Sequence, residues 1–534
     1  MNIEHRMKAK IIMLCLATLT LFGLCSRTGN VQAESRGNEL ILAISGEPEG
    51  GFDPASGWGR YGSPLFQSTL FRRDSRMNMV NDLATGHFVS QDGRIWTVKI
   101  RKDVVFTDKK PLKAADVVYT FETAAKSSSV VDLTCLKRVT ARDSHTVEFV
   151  LKEPQSTFIN ILANTGIVPK HAHNRDYSQK PMGSGPFVFV QWDKGQQLIV
   201  TANPLYYGAK PFFKKITFLY LSEEAAFAAA RAGQVDIAAI LPMFAGQRVP
   251  GMRLEAMESV DNRGIMFPCV KSGKTSETGY PVGNAVTSDV AIRKAVNTAV
   301  DRKALVNGVL NGYGSPAYTV CDKLPWWNPE TVIQDGDLKG AKAILGKGGW
   351  KDSDRDGILE KKGVKARFRL IYPAGDQIRQ SLAISVADRV KSLGIMIDVD
   401  GKSWDDIRTL MHSNAILFGW GSQDPIEMYN LYNSRYIGRD YYNAGYYANP
   451  VVDRHMGKAM VALNEKEACK YWKKSQWDGK TGASAKGDAP WAWLVNIKHL
   501  YLVRNNLDIG IQKIHPHGHG WPLTDNIHQW KWKK

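Results

Sequence analysis

Between Met182 and Phe218 the chain reads MGSGPFVFVQWDKGQQLIVTANPLYYGAKPFFKKITF, and few backbone courses satisfy that order of residues. GSGPF sets a tight Gly-Pro turn. VFVQW then alternates apolar and polar side chains, the period of a half-buried strand. QQLIVTAN supplies the partner of a hairpin, NPLYYGAKPFF a loop punctuated by proline and glycine, and KKITFLY a third strand. The segment holds no catalytic pattern, so its information is architectural.

The rest of the chain continues the theme. Strand-like runs at LILAIS (Leu40–Ser45), IWTVKI, HTVEFVL (His145–Leu151) and ITFLYL (Ile216–Leu221) alternate with helical runs such as AADVVYTFETAAK and DQIRQSLAISVADRVKSLG. In the last, Ile378, Leu382, Ile384, Val386 and Val390 predict an apolar stripe, and Gly394 a stop. SEEAAFAAARAGQVDIAAIL reads as helix, glycine turn and buried strand. The fold class is α/β. No internal repeat is visible, and Asp478–Pro490 reads as a surface loop.

At 534 residues the chain is long enough for about three to four domain-sized units. Arg6, Lys8 and Lys10 precede an apolar run from Ile11 to Leu24, and Val31-Gln32-Ala33 fits a small-residue cleavage site. Residues 1–33 therefore read as a signal peptide, too short for a membrane span. Leu24 stands where a lipid anchor on Cys25 would want a small residue. The expectation is a soluble periplasmic protein without a lipid anchor. Losing a leader with four basic residues and one acidic leaves the mature chain at about +15. The Lys and Arg are spread without a dense cluster, which with export argues against a nucleic-acid partner. Cys135, Cys269, Cys321 and Cys469 remain, an even count that permits two disulfides in any of three connectivities. Their wide spacing does not suit a metal-thiolate site.

The Met182–Phe218 segment resembles the G-[ST]-GPF…NP-x-Y-[WY]-G-x-KP-x-[FL] block of the family 5 (peptide/nickel-type) solute-binding proteins that serve ABC importers. Further blocks follow in the family's order: Ile95–Glu122, Ser288–Ala317 and Asp337–Gly363. In the first of these, Lys109–Lys110 replace the usual turn glycine. The resemblance implies two α/β lobes joined by a hinge, with an inserted subdomain and a ligand enclosed between the lobes. On that pattern residues 34–65, 183–279 and 501–534 form lobe I, 66–182 the subdomain and 280–500 lobe II. The implied function is capture of a small peptide or a nickel (metal-chelate) complex by a monomer that delivers it to an inner-membrane ABC permease. No cofactor is implied beyond a transition metal carried within the ligand. An alternative on the same fold is a sensor or chaperone-like module handing its ligand to a signalling receptor.

Enzyme motifs fail on inspection. The two GKT tripeptides, at Gly273 and Gly479, lack the glycine that a phosphate loop needs five positions earlier, and there is no G-x-S-x-G or H-E-x-x-H. Asp352, Asp354, Asp356 and Gly357 fit the start of a calcium loop, but Gly363 stands where a bidentate Glu is required, so an acidic turn is the expectation. HPHGHGW (His515 to Trp521) offers His517 and His519 as candidate metal ligands. The same tail resembles one shared across the family whatever the ligand, which favours a structural role.

The cleft residues are expected from two segments. Ala415–Asp453 runs from an apolar strand through a Gly/Ser/Asp/Pro turn into a crowd of aromatics, the composition of a desolvated small-molecule wall. Trp420, Gln423 and Asp424 would shape that wall, Tyr441 and Tyr442 would stack on the ligand, and Arg435 would neutralise an acidic group. In dipeptide-binding relatives an acidic residue shortly after the Trp pairs with the peptide's ammonium group. Here the turn is shortened, Asp424 matches the structural Asp-Pro, and Gln423 takes the recognition position, which points to longer peptides or a metal chelate. On the opposite wall Gly51–Phe71 places Trp58, Arg60 and Tyr61 at a turn, where Arg60 could pair bidentately with a carboxylate.

Overall fold

The computed structural model describes residues 37–44, 46–127, 131–518 and 521–533. The expected signal peptide and Cys25 lie outside the described residues. No helix among those described is long and apolar enough to cross a membrane.

The hairpin forms as its alternation requires. Phe187–Asp193 pairs antiparallel with Gln197–Ala202, and Lys215–Leu219 adds the third strand. Gly183 admits the preceding turn by its size alone, since a Cβ there would lie 2.0 Å from the carbonyl oxygen of Phe66. These strands are one edge of a seven-stranded sheet completed by Glu39–Ala43, Ile237–Ala239, His499–Arg504 and Met252–Met257. Glu39–Ala43 lies parallel between Lys215–Leu219 and Ile237–Ala239. A second, six-stranded sheet contains Gly314–Pro316, Trp491–Ile497, Asn262–Met266, Ala415–Trp420, Arg367–Pro373 and Met396–Lys402. A four-stranded sheet of residues 84–151, covered by helix Ala114–Lys126, lies within the stretch expected as the inserted subdomain.

The chain passes between the two large sheets twice, from Met257 to Asn262 and from Ile497 to His499. The first passage falls about twenty residues before the 279 boundary expected from sequence, because Asn262–Met266 hydrogen-bonds on both sides within the six-stranded sheet. A third strand lies against the passages. Ser259 forms a parallel bridge with His515, whose amide donates to Glu258 O (2.8 Å) while its carbonyl accepts from Val260 N (2.9 Å).

Two expectations are corrected here. In helix Gln377–Lys391 the side chains of Leu382, Val386 and Val390 are buried, but Ile384 is 51% exposed. Two residues beyond Leu382 is about 200° around the helix, so it cannot share that face. The disulfides permitted by four cysteines are not formed: all four thiols are free. Cys269, Cys321 and Cys469 belong to the lobe II core around Trp326 and Trp472, whereas Cys135 packs against the subdomain core. The turn at Asp352–Gly357 is an acidic surface turn into which Lys365 reaches, its Nζ 3.0 Å from Asp354 and against Asp356. Lys109, at the replaced glycine, adopts φ +69° in a closed turn.

Candidate functional site

The strand Ala415–Trp420 ends where its neighbour begins: Trp420 pairs with Asn262, whose buried side chain accepts the Trp420 amide at 3.1 Å. Gly421 then turns the chain with φ +142°, and a Cβ there would lie 2.0 Å from Val260 O, so the turn can press against the first passage only as glycine. The tail grips the same turn. His517 N donates to Gly421 O (2.6 Å), and Gln423 Nε2 donates to Ile514 O (2.6 Å).

Asp424 opens helix Ile426–Tyr432, accepting Ile426 N at 3.0 Å and, from the subdomain, Asn160 Nδ2 at 3.2 Å. Glu427, in the first helical turn, reaches back to accept the amides of Gly421 (3.2 Å) and Ser422 (2.9 Å). Burial pushes the Asp424 carboxyl up to about 6, against the Ile426 amide, Arg73 and Arg60. Burial likewise pushes Glu427 up to about 7, against its two amide donors and Arg60. Above these groups Trp420 stacks on Tyr442 (5.5 Å, 30°), and Tyr436 meets Tyr442 edge-on at 6.0 Å. The indole N–H of Trp420 has no protein acceptor.

The opposing wall carries Arg60 over the ring of Tyr61 at 4.9 Å. Burial raises the Tyr61 phenol, Arg60 opposes, and Glu427 and Tyr442 add to the rise, which puts all four groups in one electrostatic neighbourhood. A cavity of about 360 Å³ lies beside Arg60, Tyr61 and Gln423 and is lined also by Arg72, Arg101 and Tyr207. Polar groups on aromatic walls that exclude water suit the binding and orientation of a small solute.

Of the residues expected at the cleft, Arg60, Tyr61, Trp420, Gln423, Asp424 and Tyr442 come together, and three do not. Trp58 stands behind the wall, its indole donating to Pro64 O (2.8 Å) and its ring edge-on to Phe52 and Trp521. Arg435 has a side chain 66% exposed and faces Glu153 of the subdomain at 3.7 Å. Tyr441 packs edge-on against Phe418 and Trp404, with Arg408 over its ring. Glu427, Arg72 and Arg101 were not anticipated. Glu427 was findable, since Asp424-x-x-Glu427 has the spacing of a helix-capping box.

His517 belongs to a buried network at the passages. Its Nδ1 lies 2.5 Å from Asp261 Oδ1, Arg263 Nη1 lies 2.5 Å from the same oxygen, and His499 Nε2 lies 3.2 Å from Oδ2. His499 Nδ1 in turn lies 3.1 Å from His515 Nδ1. Burial works to raise the Asp261 carboxyl, yet Arg263, His517 and the imidazole hydrogen bonds hold it well below the usual carboxylate range. His519 lies outside the described residues. Among those described, the one cluster with the spacing to hold an ion is the exposed Asp352, Asp354 and Asp356 that Lys365 already meets.

A family model for the middle region of bacterial extracellular solute-binding proteins, family 5, matches residues 78–443. The chain belongs to this family. Protein XP55 of Streptomyces lividans is 31% identical over 498 residues, spanning 90% of this chain and 86% of that protein. The oligopeptide-binding protein AppA of Bacillus subtilis is 29% identical over 430 residues, 76% of this chain and 77% of its own. The AppA structure in complex with a nonapeptide superimposes with a TM-score of 0.67, covering 93% of this chain and 99% of that one. NikZ from Campylobacter jejuni, in complex with Ni(L-His), gives a TM-score of 0.74 at 25% identity, over 93% of this chain and 100% of that one. The two-lobed architecture is the family's own, and its members are the solute-binding components of ABC importers. Nothing in these relationships favours the sensor alternative.

Proposed function

We propose that this family 5 protein works in the periplasm after removal of its leader. There it captures a short peptide between its lobes as a monomer and delivers it to an inner-membrane ABC permease. One observation carries the reading: Arg60 and Tyr61 share a cavity of about 360 Å³ with Gln423 of the cleft turn, and Glu427 and Tyr442 are close enough to act electrostatically on Tyr61. A peptide brings both charges and amide groups to such a lining. The sheets support a first lobe of residues up to Met257 and from His499 onward, interrupted by the subdomain, and a second lobe from Asn262 to Ile497.

A second reading rests on the arginines. Arg60, Arg72 and Arg101 line one cavity, a setting that also suits an anionic metal chelate such as a nickel complex. The metal would arrive with its own chelator, since among the described residues the cavity lining brings no three ligating side chains together. Native mass spectrometry of protein purified from the periplasm without refolding, with metal analysis alongside, separates the two. A mixture of short peptides without stoichiometric metal supports the first reading. One transition metal per chain with a small organic chelator replaces it with the second, and a chain that carries neither and binds neither a peptide library nor nickel-histidine refutes both.

A further inference from the structure

The subdomain and lobe II also touch beside the cleft turn, at Asn160 and Pro425, and a second cavity of about 290 Å³ lies at that contact. Phe71, His87 and Trp96 form its subdomain side; Trp326 and Trp472 form the lobe II side. The rings are ordered: His87 lies parallel to Trp96 (5.7 Å, 10°), and Phe71 meets His87 edge-on at 5.1 Å. The charges nearby are already satisfied. Arg73 donates to Met77 O (2.7 Å) and Asn160 Oδ1 (2.6 Å), pairs with Glu465 at 3.3 Å, and lies over Trp326 at 5.5 Å. His87 is shifted down by burial, which keeps the imidazole neutral at neutral pH.

The indole N–H groups of Trp96 and Trp472 have no acceptor within the protein, although the residues are only 6% and 1% exposed. Buried donors are ordinarily paired, so two orphans on residues that line one cavity are unusual. Paired charges exclude an ionic occupant, flat walls favour a planar one, and unmatched donors favour an acceptor atom on it.

We propose that this cavity is a second binding site, for an uncharged aromatic molecule bearing a hydrogen-bond acceptor, such as a phenol. Because its two sides belong to different hydrophobic cores, an occupant joins the subdomain to lobe II and favours the arrangement in which they touch. The inference does not depend on what the main cleft carries.

The test uses 4-fluorophenol as probe and the full mature chain. Fluorine NMR should show saturable binding at one site per chain, with a dissociation constant of about 0.1–1 mM for a fragment of this size. Val89 lines the cavity and is half-buried, so Val89→Trp should fill the space and weaken binding at least tenfold. A second readout does not need the variant. Cys469 lines the cavity and Cys135 does not, so saturating probe should slow alkylation of Cys469 several-fold and leave Cys135 unchanged. No saturable binding below 10 mM (about a tenfold margin on that estimate), or binding that neither protects Cys469 nor responds in folded Val89→Trp, overturns the proposal.

Discussion

Replacing Glu427 by Gln should make the protein's stability less dependent on pH, and the size of the change follows from the site. The ionised Glu427 accepts two amide hydrogen bonds but is buried beside Asp424, and the balance leaves its carboxyl at about 7 against an ordinary 4.5. A carboxyl raised on folding binds its proton more tightly in the native state. Its contribution therefore destabilises the fold progressively as pH rises from the unfolded value to the folded one. Each unit corresponds to about 1.4 kcal/mol, so the penalty is about 1 kcal/mol at pH 5 and about 3 kcal/mol at pH 8. Gln cannot ionise. It also turns an NH2 group towards one of the Gly421 and Ser422 amides, losing a hydrogen bond worth about 1–2 kcal/mol at every pH. Glu427→Gln should thus be neutral to destabilising at pH 5 and stabilising by about 1–2 kcal/mol at pH 8. The difference between the two pH values, about 2–3 kcal/mol, is independent of the lost hydrogen bond. Urea unfolding of both proteins at the two pH values measures it. A difference below about 0.5 kcal/mol, or one of opposite sign, would refute the claim that burial governs this carboxyl.

Arg60→Ala should weaken capture of the ligand identified by mass spectrometry tenfold or more by isothermal titration, whereas Arg435→Ala should leave it within twofold; equal losses would return Arg435 to the cleft. Asp261→Asn leaves Arg263 and two imidazoles without their carboxylate and should cost about 3–5 kcal/mol in chemical denaturation. Asp261 is held low in the fold, so the stability it lends is present above the ordinary Asp range and lost as pH falls through it. The variant should accordingly lose less stability on acidification than the parent does. Lys109→Gly relieves a left-handed backbone at φ +69° and should stabilise by about 0.5–1 kcal/mol, after allowing for the extra freedom glycine gains in the unfolded chain; a lower thermal midpoint would contradict that.

What the sequence made legible was local. The Met182–Phe218 hairpin is written in alternation and turn residues a few positions apart, and it forms as read. The aromatic crowd after Trp420 announced a wall but not its faces: Tyr442 turns onto Trp420 while adjacent Tyr441 turns onto Phe418, a choice made by the packing of distant strands. Arg435 was misplaced for the same reason, since Glu153 is remote in sequence. The passage at Met257–Asn262 was set too late because Asn262–Met266 is a strand only by virtue of partners at Ala415–Trp420 and Trp491–Ile497. His517, read as a candidate metal ligand, meets Asp261, and nothing near the tail in sequence reveals that partner.

The position of Glu39–Ala43 also dictates timing. This strand, almost the first of the described chain, sits in the interior of a sheet between Lys215–Leu219 and Ile237–Ala239, with His499–Arg504 beyond the latter. Ile41 N donates to Asp236 across 195 residues of sequence, and Asp236 is paired in turn with Arg504. The sheet that holds Glu39–Ala43 therefore cannot be completed until His499–Arg504 is available, and contacts of such long range make folding slow. Strand order alone leaves this sheet open until residues 499–504 arrive, however early Glu39–Ala43 is made.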